Sequence, residues 1–324
     1  MNRVNPDPVP NQIQEQFSEM QMGTHALLKV ELVGLIYNPI SGQGRSKNIA
    51  ENVAQALGRD QIKCELIESR RSYDTASLQA QLKSLDVLIV VGGDGTMAGL
   101  LPHLAESQTP VYMAPAGNES LFARAFSMKR EAAEIAAAFK QGLVEEHSYG
   151  LVNGAPFFTM VSVGIDSLIV HDIHANRTRP VGNIGYVWPA LKNLFYYQAP
   201  KITLEVDGKR VVEDQSGYLI IANSPQYALG LNLVPEADSR KQELCARFIP
   251  SENALHLVAL ATARYCGFSS ALSGSQHWAG KTFSINCSNS SNYPIQGDGE
   301  AIGKLPATVA VGEKTLRILQ GIRA

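Results

Sequence analysis

From Val33 to about Lys140, short β-branched runs alternate with longer amphipathic ones, and this alternation leaves the chain few folds to choose from. VGLIYNP precedes KNIAENVAQALG, KCELIES precedes TASLQAQLKSL, DVLIVVGGDG precedes TMAGLLPHL, and TPVYMAPAG precedes ESLFARAFS. Strand-like runs interleaved with helix-period segments read as successive βαβ units, hence an α/β domain whose parallel sheet carries helices on both faces. Ligands in such sheets sit at the carboxyl ends of the strands, beside the point where the strand order reverses. Three turns rich in Gly or Pro follow strands here, NPISGQG, GGDGT and APAGNES, and they are expected along one edge.

After about His147 the texture changes. PFFTMVSVG, KITLEVDGKRVVE, SGYLIIANS and LCARFI are strand-like, with one helical insertion around Tyr186–Tyr197, so a second, mostly antiparallel β-rich domain is expected. The expected divisions are a flexible lead-in at 1–30, the α/β domain at 31–147, the β-rich domain at 148–305, and a C-terminal segment at 306–324 that returns to the first domain. A chain of 324 residues with 45% hydrophobic residues has ample core for two domains. A net charge of −2 and scattered Lys and Arg residues argue against nucleic acid as a partner. The longest apolar stretches fall short of the roughly 20 residues of a membrane span, so the chain reads as soluble or at most peripheral to a membrane. The N-terminus lacks the apolar core of a secretory signal. Cys64, Cys245, Cys266 and Cys287 show neither zinc nor disulfide spacing, which fits a reducing cytoplasm. Nothing in the pattern specifies an oligomeric state.

The turns carry the chemistry. In GGDGT, the backbone N–H groups around Gly92, Gly93 and Gly95 at a helix start form an anion site, and the Thr96 hydroxyl can cap the helix or donate to a phosphate. The spacing matches neither a P-loop nor a dinucleotide fingerprint. A carboxylate beside a phosphate site repels its ligand unless it holds Mg²⁺ or handles a proton, so Asp94 is either that or a turn residue. In NPISGQG, Asn38 and Ser41 offer hydrogen bonds to a ribose or phosphate and Arg45 offers a charged fork. Late in the chain, QGDGE sets Asp298 and Glu300 on either side of a glycine. Elsewhere, the aromatic stripe of Tyr186, Trp188, Phe195, Tyr196 and Tyr197 reads as core rather than as a lipid-facing surface. His171 and His174, at i and i+3, read as solvated or capping residues rather than as a metal site.

Taken in order, NPxSG, GGDGT and a late QxDGE resemble the diacylglycerol kinase catalytic family, which includes sphingosine kinases and bacterial lipid kinases. The resemblance runs from about Val33 to Leu319 and takes in FFTMVSVGIDSLIV and the closing TVAVGEKTLRIL. It implies a three-layer α/β domain and a β-rich second domain with ATP in the cleft between them. It further implies Mg²⁺ and transfer of the γ-phosphate to a lipid hydroxyl. Carried over, GGDGT would hold the nucleotide phosphates, with Asn38, Ser41, Arg45, Gly117, Asn118 and Ser120 assisting and Asp94 reaching the phosphates through Mg²⁺. Asp298 matches the acid proposed to take the substrate's proton, and Glu300 its supporting partner. For these two to act on a bound nucleotide, the chain is expected to return to the first domain between about Asn289 and Ala307. Two positions depart from the pattern: Leu121 and Lys241 stand where the family carries aspartates. Some bacterial members hold a structural Mg²⁺ with the second of these, and the Lys241 ammonium is expected to replace that cation. An NAD kinase-like enzyme and a non-catalytic nucleotide or lipid binder are the alternatives.

Overall fold

The run VLIVVG at Val87–Gly92 is buried at every position, as a central strand must be when helices cover both faces of a parallel sheet. The computed structural model of the protein describes residues 30–69, 74–117, 120–175, 197–226, 231–268 and 272–322. The expected lead-in up to residue 29, Asn118 and Glu119, and the aromatic positions Tyr186, Trp188, Phe195 and Tyr196 lie outside them.

The first domain alternates as its sequence does. Strands β1 (Leu32–Tyr37), β2 (Lys63–Glu68), β3 (Val87–Gly92), β4 (Val111–Pro115) and β5 (Val144–His147) are separated by helices α1 (Arg45–Arg59), α2 (Thr75–Lys83), α3 (Asp94–Ser107), α4 (Leu121–Ala125) and α5 (Ala132–Gln141). Strands β2, β1, β3 and β4 run parallel in that spatial order. Right-handed crossovers therefore send α1 to one face and α2 to the other, and α1 packs with α5 while α2 packs with α3. Charged Lys63, Glu65 and Glu68 keep the edge strand β2 in water.

The β-rich half begins with β6 (Gly150–Val152), β7 (Ala155–Phe157), β8 (Met160–Val163) and helix α6 (Ile165–Ala175). It continues with β9 (Lys201–Val206), β10 (Lys209–Ala222), β11 (Leu244–Pro250), helix α7 (Ala254–Tyr265) and β12 (Gln276–Gly280). Strands β13 (Thr282–Cys287), β14 (Pro294–Gly297), β15 (Glu300–Lys304) and β16 (Ala307–Val311) complete it. The two runs KRVVE and SGYLII form one 14-residue strand, β10, whose first part pairs with β9 and whose last part pairs with β8 and β11. Register shifts between Arg210 and Gln215 bend it, so it belongs to both layers of an antiparallel sandwich. Val161, Leu219, Ile221 and Phe248 face Ile202, Leu204, Phe283 and Val309 across a single apolar core.

Strand β16 still pairs with β13 and β6 in the second domain. Only the last strand, β17 (Leu316–Leu319), crosses back: it lies parallel to β4 and antiparallel to β5, completing a six-stranded sheet. The return therefore comes after Val311, and the hairpin that carries Asp298 stays in the second domain's sheet, contrary to the crossing expected between Asn289 and Ala307. Leu316, Ile318 and Leu319 are fully buried in the first domain's core. Ile318→Ala should accordingly cost about 2–5 kcal/mol of stability in urea unfolding, and a loss much below that would show that the crossing strand is not part of that core.

Candidate active site

Strand β1 has β2 on one side and β3 on the other, so the strand order reverses between β1 and β3. The turns at their carboxyl ends touch. Asn38 Oδ1 accepts from the Ile40 N–H at 3.2 Å while its Nδ2 donates to Thr96 Oγ1 at 3.3 Å, so one side chain shapes its own turn and ties it to GGDGT. The Ser46 hydroxyl donates to the Asn38 carbonyl, and the Ser41 N–H donates to that same carbonyl at 2.9 Å. Gly42 takes φ +59°, and a Cβ there would stand 2.4 Å from the Ala116 carbonyl oxygen, so the first turn rests directly on APAG. The Ala116 N–H in turn donates to the Gly92 carbonyl. Arg45 is exposed at the start of α1 with Nε on the Gly42 carbonyl at 2.8 Å. The three turns thus share one edge with Asn38, Ser41, Arg45, Gly92, Gly93, Gly95, Thr96 and Gly117 along it.

Gly93 differs from Gly42. Its backbone (φ −111°, ψ 178°) suits any residue, and a side chain there would meet no protein atom. Neither conformation nor packing asks for glycine at this position, which opens the N-terminus of the 14-residue helix α3 to a molecule approaching the backbone.

Asp94, the first residue of α3, hydrogen-bonds the start of α4. Its Oδ1 accepts from Ser120 Oγ at 2.7 Å and from the Phe122 N–H at 3.1 Å, and its Oδ2 accepts from the Leu121 N–H at 2.9 Å. Ser120 completes the cap by accepting the Ala123 N–H at 3.1 Å. Asp94 is therefore the N-terminal anchor of a helix 27 residues downstream of it, and Leu121 takes part through its backbone. Oδ2, with one hydrogen bond, keeps acceptor capacity for a further ligand.

Asp298 sits in the β14–β15 turn with φ +48°, a conformation that aspartate tolerates better than most residues. Its Oδ2 accepts from the Phe158 N–H at 2.6 Å, and its Oδ1 from the Thr159 and Met160 N–H groups at 2.8 and 3.0 Å. Burial pushes its pKa up, the three N–H donors pull it down, and the Asp94 charge adds to the rise; burial prevails, leaving the group at about 6. Glu300, two residues on, brings Oε1 to 3.7 Å from where a Cβ on Gly95 would stand. The carboxylates of both motifs, some 200 residues apart in sequence, therefore meet across the cleft.

Several residues have partners here that the sequence did not indicate, the two histidines read as solvated or capping among them. His174 on α6 hydrogen-bonds Glu300 through Nε2, and His171 reaches the Ile295 carbonyl at 2.8 Å, so the two histidines brace the hairpin. Their i, i+3 spacing marked a shared helix face, but the hairpin they meet lies more than 120 residues away in sequence. Beneath the turn, Gln296 accepts the Gly299 N–H at 2.9 Å and donates to Ser162 at 2.7 Å and Asp166 at 3.1 Å. Tyr218 donates to the same Asp166 carboxylate at 2.9 Å.

A cavity of about 480 Å³ separates the domains nearby, lined by Phe126, Glu145 and His147 on one side and Ser239, Arg240 and Lys241 on the other. Lys241 turns its ammonium to Glu243 at 3.6 Å. The cation that holds the cavity's aspartate is its neighbour, since Arg240 takes Asp238 with a two-nitrogen fork at 2.9 and 2.8 Å. Lys241, expected to stand in for a cation here, therefore pairs with Glu243, and Arg240 with Asp238.

The chain matches the diacylglycerol kinase catalytic domain over residues 33–152 and the YegS C-terminal NAD kinase beta sandwich-like domain over residues 159–320. A diacylglycerol kinase of Mycobacterium tuberculosis (strain CDC 1551 / Oshkosh) is 26% identical over 309 residues, covering 93% of this chain and 97% of that protein. A diacylglycerol kinase of Bacillus subtilis (strain 168) is 26% identical over 180 residues, covering 54% of this chain and 59% of that protein. The crystal structure of a diacylglycerol kinase from Bacillus anthracis str. Sterne superimposes with a TM-score of 0.64 at 17% identity, covering 90% of this chain and 97% of that one, and shows the shared fold. With both of its halves matched in order, this chain belongs to the diacylglycerol kinase catalytic domain family.

Proposed function

We propose that the protein transfers the γ-phosphoryl group of ATP to the hydroxyl of a lipid alcohol, with diacylglycerol the class for which its relatives are named. The observation that carries this reading is Asp298: a carboxyl held at about 6 in a turn whose partner Glu300 reaches the Gly95 backbone. A base with a pKa near neutrality is ionised at working pH yet still basic enough to accept a proton in the transition state. The open N-terminus of α3, with Gly93 and Gly95, offers backbone N–H groups to the nucleotide phosphates, and Arg45 at the edge adds a cation.

Among the described residues no three His, Cys, Asp or Glu side chains converge as a metal cage. A Mg²⁺ carried in with the nucleotide needs only one or two carboxylates, because phosphates and water fill the rest of its shell. Asp94 Oδ2 fits that role, and the ion would supply neutralisation of phosphate charge. In the transfer itself, Asp298 receives the proton of the substrate hydroxyl as that oxygen bonds to the γ-phosphorus and the bond to the departing ADP breaks. Glu300, oriented by His174, steadies the turn opposite Gly95.

Purified protein incubated with labelled ATP and diacylglycerol, monoacylglycerol, sphingosine or NAD tests the reading, and transfer to a lipid alcohol is the expected result. Label on NAD alone would make the protein NAD kinase-like, and ATP binding without transfer to any acceptor would make it a non-catalytic binder. Asp298→Asn should lower kcat by about 10²–10⁴ with little change in ATP affinity, and Glu300→Gln should cost less. Loss of ATP affinity in step with rate would move Asp298 to the nucleotide site instead. Because the base works only when deprotonated, kcat should be level above about pH 6 and fall about tenfold per unit below it; a flat profile down to pH 5 would contradict the assignment. Asp94→Asn sets an amide NH₂ against a backbone N–H of α4, so it should lower both turnover and stability, the latter by about 1–3 kcal/mol in thermal or urea unfolding.

A further inference from the structure

Asp298 takes its hydrogen bonds from the N–H groups of Phe158, Thr159 and Met160, so whatever holds those peptide units decides where its carboxylate stands. A trans peptide unit is a rigid plane whose C=O and N–H point in opposite directions. The Thr159 N–H on Asp298 is the far end of the unit whose carbonyl belongs to Phe158, and the Met160 N–H is the far end of the unit whose carbonyl belongs to Thr159. Both carbonyls end on one residue. Asn223, just after β10 and 65 residues from Phe158, donates its side-chain Nδ2 to the Phe158 carbonyl at 2.9 Å and its backbone N–H to the Thr159 carbonyl at 2.9 Å. Hydrogen bonds in a chain polarise one another, so an N–H whose own peptide carbonyl is engaged is the stronger donor.

Asn223 is fully buried, and its partners fix which way the amide points. Nδ2 faces two carbonyl oxygens, those of Phe158 and Ser148, at 2.9 Å each, and Oδ1 accepts the Ser148 hydroxyl at 2.6 Å. Two donors and one acceptor on a short side chain are what only asparagine brings. An aspartate would set oxygen against both carbonyls, and a serine would offer one donor in place of two. Ser148, itself fully buried, lies where the chain passes from β5 in the first domain to β6 in the second. One amide therefore ties the domain crossing to the peptide planes that hold Asp298.

We propose that Asn223, held by Ser148, is the positioning residue for Asp298: its amide and its N–H lock the Phe158–Thr159 and Thr159–Met160 peptide planes with their N–H ends on that carboxylate. The inference rests on the reading of Asp298 as the base for its part in transfer, but the lock is measured without turnover. Protein labelled with carbon-13 aspartate gives an Asp298 carboxyl resonance, assigned by its loss in Asp298→Asn. Its midpoint is followed with pH in the wild type, Asn223→Ser and Ser148→Ala, and in the wild type it should stand at about 6. Weaker N–H donors stabilise the carboxylate less, so Asn223→Ser should raise the midpoint by about 0.5–1 pH unit. Ser148→Ala, which removes only the hydroxyl from Asn223 Oδ1, should raise it by less. Asp94 and the Glu300–His174 pair carry neighbouring charges and are unchanged in both variants, so a rise reports the donors. A midpoint unmoved or lowered in Asn223→Ser would overturn the proposal, and should that variant fail to fold, the same result in Ser148→Ala would do so. Where transfer is measured, kcat of Asn223→Ser should fall about tenfold with KM for ATP unchanged, and the acid limb of its pH profile should move up with the midpoint. A fall in kcat with the limb in place would make Asn223 a support of the fold only. If the assay above found no transfer to any acceptor, a raised midpoint would still stand, so the two readings fail separately.

Discussion

The three hydrogen bonds that Asp94 accepts from Ser120, Leu121 and Phe122 hold the rest of the site in place. Helix α4 has only five residues and cannot persist on its own propensity, so its position is set by the charge at its N-terminus and by what its rings touch. Those rings join the domains. Phe122 meets Phe158 edge-on with centroids 4.6 Å apart, and Phe126 meets Phe158 at 5.4 Å and the His147 ring at 4.7 Å. Phe158 comes from the β-rich half of the chain yet packs in the first domain's core, and its N–H is the shortest of the three that hold Asp298. One carboxylate thus fixes a helix, the helix fixes an aromatic contact, and the contact fixes the segment that cradles the other carboxylate.

The same arrangement decides how Asp298 titrates. Three N–H donors alone would hold a carboxylate well below its usual range, and enclosure alone would push it far above. With both present and Asp94 close by, the group comes to rest near 6. The left-handed backbone at Asp298 and the Gln296 side chain gripping the Gly299 N–H keep the turn in the one shape that allows this. Gln296 is itself held by Ser162 and Asp166, so a buried polar layer underlies the hairpin as hydrogen-bonded support. Strand β17 adds a covalent reason for the cleft's geometry: the chain leaves the first domain at β5 and must come back between β4 and β5, which restrains how far the halves can part.

Much of this was legible beforehand because it is local. The alternation of period 2 and period 3.6 between Val33 and Lys140, and the glycine-rich turns that end its strands, are properties of adjacent residues; they determined a parallel sheet, its helices and the three turns on one edge. The change of texture after His147 likewise determined a β-rich second half, and the ordered motifs pointed to Asp94, Asp298 and Glu300 as a group. The tertiary structure alone decided what those carboxylates do. That Asp94 anchors α4, that Glu300 meets His174 and Gly95, that Arg240 rather than Lys241 answers Asp238, and that only β17 returns to the first sheet all depend on which side chains the fold brings together. Apart from the Asp238 pair, these contacts span from 26 residues to more than 200, and spacing along the chain carries no record of such pairings. The protonation of Asp298 is the clearest case, since it follows from burial and from a charge in the other domain, neither of which exists until the chain has folded.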